Sequence, residues 1–187
     1  MTLVDSHCHL DDRRFRSDLD AVLARARAAG VSLMVAVGTG DGPPDLEAGI
    51  RIADKHPDVL ATVGVHPHDA RKADAATWRR METLLENPKV FAVGEIGLDY
   101  FYDNSPRQAQ RDAFVEQMRL ARQARKPVVI HTRDAWPDTW ELLEAHWAPA
   151  GLGGILHCFS GGPEEARRAI EMGLHLAFGG VVTFPGA

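Results

Sequence analysis

His7 and His9 stand two residues apart in Ser6-His7-Cys8-His9, directly after an apolar run that starts at Leu3. In an extended strand residues two apart share a face, so both imidazoles point one way and Cys8 the other. Two imidazoles on one rigid strand can converge on a metal ion, although taken alone the pair is equally compatible with ordinary surface or core histidines. Three more ligand types follow at matching positions: Glu95 after the run 90–94, His131 after 127–130 and His157 after 154–156. Four histidines and a carboxylate able to bridge suit a borderline divalent ion such as Zn²⁺ or Mn²⁺, singly or as a pair, whereas Mg²⁺ alone prefers more oxygen. Two ions sharing Glu95 would lower the pKa of a bridging water and neutralise charge on a scissile phosphate or carbonyl group. The expected chemistry is metal-assisted hydrolysis.

Other residues have two readings each. His66, in Gly64-Val65-His66-Pro67-His68, ends a third run and is a site candidate, and His68 lies further into the loop. Arg133 has the same strand parity as His131, so it either faces the site and holds a phosphate oxygen or pairs with Asp134 or another acid. Asp99 is placed to orient a metal-binding histidine from behind, or to cap its own loop. Cys8 and Cys158 are expected on the helix-facing side of their strands, as buried small apolar groups. His56, His146 and His175 read as structural. The four tryptophans read as packing residues, with only Trp136 near enough to the His131 strand to reach a substrate.

These residues must be held by the elements around them. Apolar, largely β-branched runs occur at 3–5, 31–37, 60–65, 90–93, 127–130, 154–156 and 174–182. Between them lie helical segments at 18–29, 45–55, 75–86, 107–125, 137–146 and 163–171, the first ended by Gly30. Alternation of this kind implies parallel β/α units. A doubly wound sheet usually carries a Gly-rich turn after its first strand, and here that turn is Ser6-His7-Cys8-His9. Polar residues at the C-terminal strand ends instead match a TIM (β/α)8-type barrel. Strand starts recur about every 28 residues, and a complete barrel needs about 250. About seven of eight β/α units are therefore expected, in one domain spanning residues 1–187. Loop-like patches fall at 40–44 and 102–106.

Of the 187 residues, 45% are hydrophobic and 25% charged, which fits a globular core and excludes wholesale disorder. No run of about 18 apolar residues is present, and the N-terminus is too polar for a signal peptide. A cytoplasmic protein without membrane association is expected. Lys and Arg number 21 against 26 Asp and Glu, a net charge of −5. That disfavours binding along a duplex through a broad basic surface but permits a small phosphate site.

In order along the chain, Asp5-Ser6-His7-Cys8-His9-Leu10, Gly64-Val65-His66-Pro67-His68, Gly94-Glu95-Ile96-Gly97-Leu98-Asp99-Tyr100, Pro127-Val128-Val129-Ile130-His131-Thr132-Arg133-Asp134-Ala135 and His157-Cys158-Phe159-Ser160-Gly161 resemble the motifs of the TatD family of metal-dependent deoxyribonucleases. The resemblance implies an amidohydrolase-like TIM barrel. It assigns His7 and His9 to a first metal, Glu95 as a bridge, and His131 and His157 to a second, the ions being Zn, Mn or Mg. It also implies a phosphate or substrate role for His66 and for Arg133. The implied activity is hydrolysis of phosphodiester bonds from a DNA end, or of a small phosphodiester. The alternatives are an amide or ester hydrolase, such as an aminoacyl-tRNA deacylase, and an inactive metal-binding fragment. Family members continue to an eighth strand bearing a Glu-Thr-Asp motif whose Asp is a metal ligand. This chain ends at Pro185-Gly186-Ala187, so a C-terminally truncated barrel is expected, with self-association through its open edge.

Overall fold

A computed structural model describes residues 2–38, 42–43 and 45–185. Of the first expected loop, Gly40, Asp41 and Pro44 lie outside the described residues, as do Gly186 and Ala187. The elements alternate as β1 Leu3–Cys8, α1 Leu19–Ala28, β2 Val31–Ala36, α2 Ala48–Ala53, β3 Val59–Val63, α3 Ala75–Leu84 and β4 Val90–Asp99. They continue as α4 Arg107–Ala124, β5 Val128–Arg133, α5 Trp136–His146, β6 Gly154–Leu156, α6 Pro163–Glu171 and β7 Leu174–Leu176. The strands form one parallel sheet in the order β1-β2-β3-β4-β5-β6-β7. A doubly wound sheet reverses its order at a switch point. Here nothing reverses, as in a barrel.

The sheet is strongly curled. β1 and β6 are five strands apart, which in a flat sheet separates them by about 24 Å. Yet the rings of His7, on β1, and His157, next to β6, stack with centroids 3.4 Å apart. Only closure of the sheet toward a barrel brings them together. The central strands are largely apolar on both faces because helices cover the outside and other strands fill the inside. In β3, Val59, Ala61, Thr62 and Val63 are all fully buried. Phe114 and Met118 of α4 and Leu143 of α5 are also fully buried, each stabilising the fold by roughly 1.5–3 kcal/mol.

Local sequence explains the element ends. α1 stops where Gly30 takes φ 95°, a conformation that favours glycine. α3 starts with a reciprocal cap, Thr77 N–H donating to Asp74 Oδ1 at 2.8 Å and Asp74 N–H to Thr77 Oγ1 at 3.2 Å. Among the described residues no helix is long and apolar enough to cross a membrane.

Three expectations need correction. The fourth strand extends to Asp99 rather than stopping at residue 93, because Ile96, Gly97, Leu98 and Asp99 pair with Ile130, His131, Thr132 and Arg133. Glu95 and His131 therefore lie within strands. The seventh strand ends at Leu176, and Gly180–Thr183 forms a 3-10 turn, since Gly179-Gly180 interrupts the β-branched run. Cys158 is exposed. β6 ends at Leu156 and Cys158 has φ 45°, so strand alternation does not reach it. Cys8 is half-buried, with its thiol donating to Val35 O at 3.2 Å.

Candidate metal centre

At the C-terminal mouth of the sheet the curl gathers side chains from β1, β4 and β5 and from the loops after β3 and β6. Glu95 is the hub. Its carboxylate is 3% exposed, and its Oε2 lies 3.2 Å from His7 Nε2. The other oxygen, Oε1, lies 3.0 Å from His131 Nδ1, 3.7 Å from His66 Nε2 and 3.9 Å from His157 Nε2. Two groups of potential metal ligands result, His7–Glu95–His157 and His66–Glu95–His131, each with its donor atoms within 4.8 Å of one another. Glu95 is common to both. His9 follows β1 and brings its Nε2 within 3.3 Å of His7 Nε2. His157 lies beside His7 through ring stacking, although the family pattern places it with His131.

Asp99, 1% exposed, forms a second tier. Its Oδ2 is 3.0 Å from His131 Nε2 and 2.9 Å from His68 Nε2. His131 thus spans two carboxylates, one at each ring nitrogen. Asp99 Oδ1 also accepts from the backbone N–H groups of Phe101 and Tyr102, at 3.1 and 2.8 Å. Asp99 thus both contacts His131 and caps its own loop. His68 joins this tier and donates its backbone N–H to His66 Nδ1 at 3.2 Å. His56, His146 and His175 belong to neither ligand group.

Two buried glutamines escaped the sequence reading. Gln117 accepts from Val65 N–H at 2.6 Å and donates to Val65 O at 3.1 Å, pinning the backbone just before His66. Gln110 does the same for Asp99, accepting from its N–H at 2.7 Å and donating to its carbonyl at 3.1 Å. The signal was their seven-residue spacing on the apolar face of α4, among Ala113, Phe114, Met118 and Ala121. Satisfying a strand-end amide from a rigid helix fixes the loop that carries the functional residue.

Arg133 ends β5 at the rim. Its guanidinium lies 3.9 Å from the Phe101 ring centroid and 4.8 Å from that of Tyr102. Among the described residues no carboxylate pairs with it, Asp134 included. Trp136 stacks on Trp140 at 5.3 Å, a packing role.

Burial by itself would raise the Glu95 carboxyl, and hydrogen bonds from His131 and His7 reverse this, holding it well below the usual range. His131 is pulled down by burial and lifted further by Glu95 and Asp99, so its net shift is upward. Burial pushes His66 and His157 down to about 4, against partial support from Glu95. Both are neutral imidazoles near neutral pH. In the unfolded chain they take up protons near pH 6.5, so folded stability falls as pH drops from about 6.5 to 4, on the order of 3 kcal/mol per ring. Melting curves in chelator should show this decline, and His66→Asn with His157→Asn should flatten it. An unchanged profile in the double variant would refute the assignment.

The donor set fits a metal. A carboxylate this deeply buried needs positive charge nearby, and among the described residues its ionic partners are histidines alone. His7 Nδ1 is buried without a hydrogen-bond partner, and neutral His157 keeps a lone pair free.

Comparisons with known proteins agree with this arrangement. Residues 4–187 match the family model described as TatD related DNase. The chain is 37% identical to the uncharacterized metal-dependent hydrolase YabD of Bacillus subtilis, over 99% of this chain and 71% of that protein. It is 38% identical to the 3'-5' ssDNA/RNA exonuclease TatD of Enterobacter lignolyticus, over 96% of this chain and 68% of that one. The crystal structure of the TatD homolog YJJV from Escherichia coli superposes with a TM-score of 0.88 at 32% identity, covering 99% of this chain and 71% of that chain. With the motifs in order, the strands in barrel sequence and the family model matched from residue 4 onward, the chain belongs to the TatD related DNase family.

Proposed function

We propose that the chain is a metal-dependent phosphodiesterase acting on the ends of single-stranded DNA, with His7, His9, Glu95, His131 and His157 holding two divalent ions of the Zn, Mn or Mg type. The observation that carries this reading is Glu95, one buried carboxylate whose two oxygens face different histidines, His7 at Oε2 and His131 at Oε1. Bound there, divalent ions neutralise charge on a scissile phosphate and lower the pKa of water.

The remaining groups then have distinct tasks. Asp99 fixes the ring orientation of His131 from behind. His66 accepts the His68 N–H at Nδ1, so its neutral ring carries the proton on Nε2. That nitrogen is a donor, suited to a non-bridging phosphate oxygen. Arg133, with no carboxylate partner among the described residues and set against the Phe101 and Tyr102 rings, supplies a fixed positive charge for a phosphate oxygen at the rim. The name borne by the Enterobacter relative supports a single-stranded nucleic acid as the substrate.

The test is a 5'-labelled single-stranded oligonucleotide incubated with the protein and Mn²⁺ or Mg²⁺, with chelator as control. Metal-dependent shortening from one end is the expected result. Hydrolysis confined to amide or ester substrates, or stoichiometric metal binding without any turnover, would overturn the proposal.

A further inference from the structure

Just past the second tier, the chain exposes two aromatic side chains that the chemistry above does not use. Phe101 and Tyr102 are 55% and 54% exposed. Their rings meet at 90° with centroids 4.8 Å apart, which makes a corner with one ring's face set against the other's edge. The corner is rigid, because both backbone N–H groups are tied to buried Asp99, the residue that also holds His131 and His68. It is also adjacent to the site, since the Tyr102 ring contacts the His68 ring edge-to-face at 5.4 Å.

Arg133 lies against both rings. Several exposed arginines take acidic partners, as in Arg27 with Asp58, Arg51 with Asp45 and Arg107 with Asp103, and others, Arg133 included, take none among the described residues. What sets Arg133 apart is its place against two exposed rings beside the site. Exposed rings beside an unpaired cation and a phosphodiesterase site offer one ligand two kinds of contact, a π face and a charge. A nucleotide carries both features that these contacts recognise, a flat aromatic base and an anionic phosphate.

We infer that Phe101 and Tyr102 seat an unpaired nucleobase of the strand being cleaved, with Arg133 holding the phosphate beside it. The inference rests on the phosphodiesterase reading above and adds to it the residues that read the base. A base inside a duplex has both faces covered, so this seat selects single strands and frayed ends. Every base has a π face, so it is tolerant of sequence and of the sugar.

The experiment compares two 5'-labelled oligothymidylates, one intact and one with abasic tetrahydrofuran residues at both ends. Each is assayed for kcat/KM with the parent, with Phe101→Ala/Tyr102→Ala and with Tyr102→Trp. The parent should prefer the intact strand by about tenfold or more. The double alanine variant should lose that preference by falling on the intact strand only, and Tyr102→Trp should keep it. A merely structural role would lower both substrates alike. Discrimination that survives in an active double variant would overturn the base seat alone. Failure of the parent to cleave either strand would instead overturn the phosphodiesterase reading. Both side chains are more than half exposed, so the variant should melt as the parent does, and a lost transition would send the test to Tyr102→Leu.

Discussion

Glu95→Gln is expected to lower metal-dependent hydrolysis by about a thousandfold or more, corresponding to the several kcal/mol that divalent ions contribute to such reactions. The substitution keeps the shape of the side chain and removes the one charge that both histidine groups share. In the parent, that charge is stabilised by His131 and His7 despite burial. A neutral amide in its place leaves the imidazoles without a common anion, so ion binding should weaken at the same time as turnover. Titration calorimetry with Mn²⁺ and an oligonucleotide assay read the two effects separately. Circular dichroism should show the same fold in both proteins, since the strand around Glu95 is held by its backbone pairing with β5. A variant that binds ions with the parent's stoichiometry and turns over at the parent's rate would remove Glu95 from the centre of the site.

Gly97→Ala should be the most damaging change that touches no functional side chain. Gly97 has φ +138°, and a Cβ placed on it would lie 2.0 Å from the carbonyl oxygen of His131. The obstacle is backbone in the neighbouring strand, which cannot swing aside as a side chain can. β4 and β5 would have to part where Gly97 pairs with His131 and Asp99 with Arg133. Both the fold and the Asp99–His131 contact are then lost together. A loss of about 4 kcal/mol or more is expected, which lowers the melting temperature by about 10 °C in a chain of this size. Gly151→Ala is the control, since its φ is +61° but nothing lies within 4 Å of the added Cβ. It should cost only about 1 kcal/mol, for backbone strain. Equal melting temperatures for the two variants would refute the steric argument.

Much of this molecule is legible in its sequence alone. The seven strands and six helices follow from local signals: β-branched runs, helical segments such as 163–171, and a glycine at 30 that stops α1. That His7 and His9 point to one side is also local, because the two-residue period of a strand fixes it, and their Nε2 atoms lie 3.3 Å apart. The tertiary structure decided everything that depends on distance between strands. Curling of the sheet sets His157 against His7 and makes Glu95 common to two groups, and no spacing along the chain encodes how far a sheet closes. It set Arg133, for which the sequence left open a phosphate contact and a salt bridge to Asp134 or another acid, against the Phe101 and Tyr102 rings, where among the described residues no carboxylate pairs with it. It turned Cys158 outward, since the strand that would have buried it ends two residues earlier. Gln110 and Gln117 read as polar intrusions in an apolar helix face until the strand ends they hold came into view. Periodicity acts over a few residues and is written in the chain, whereas closure, pairing and the company each side chain keeps arise only when distant segments meet.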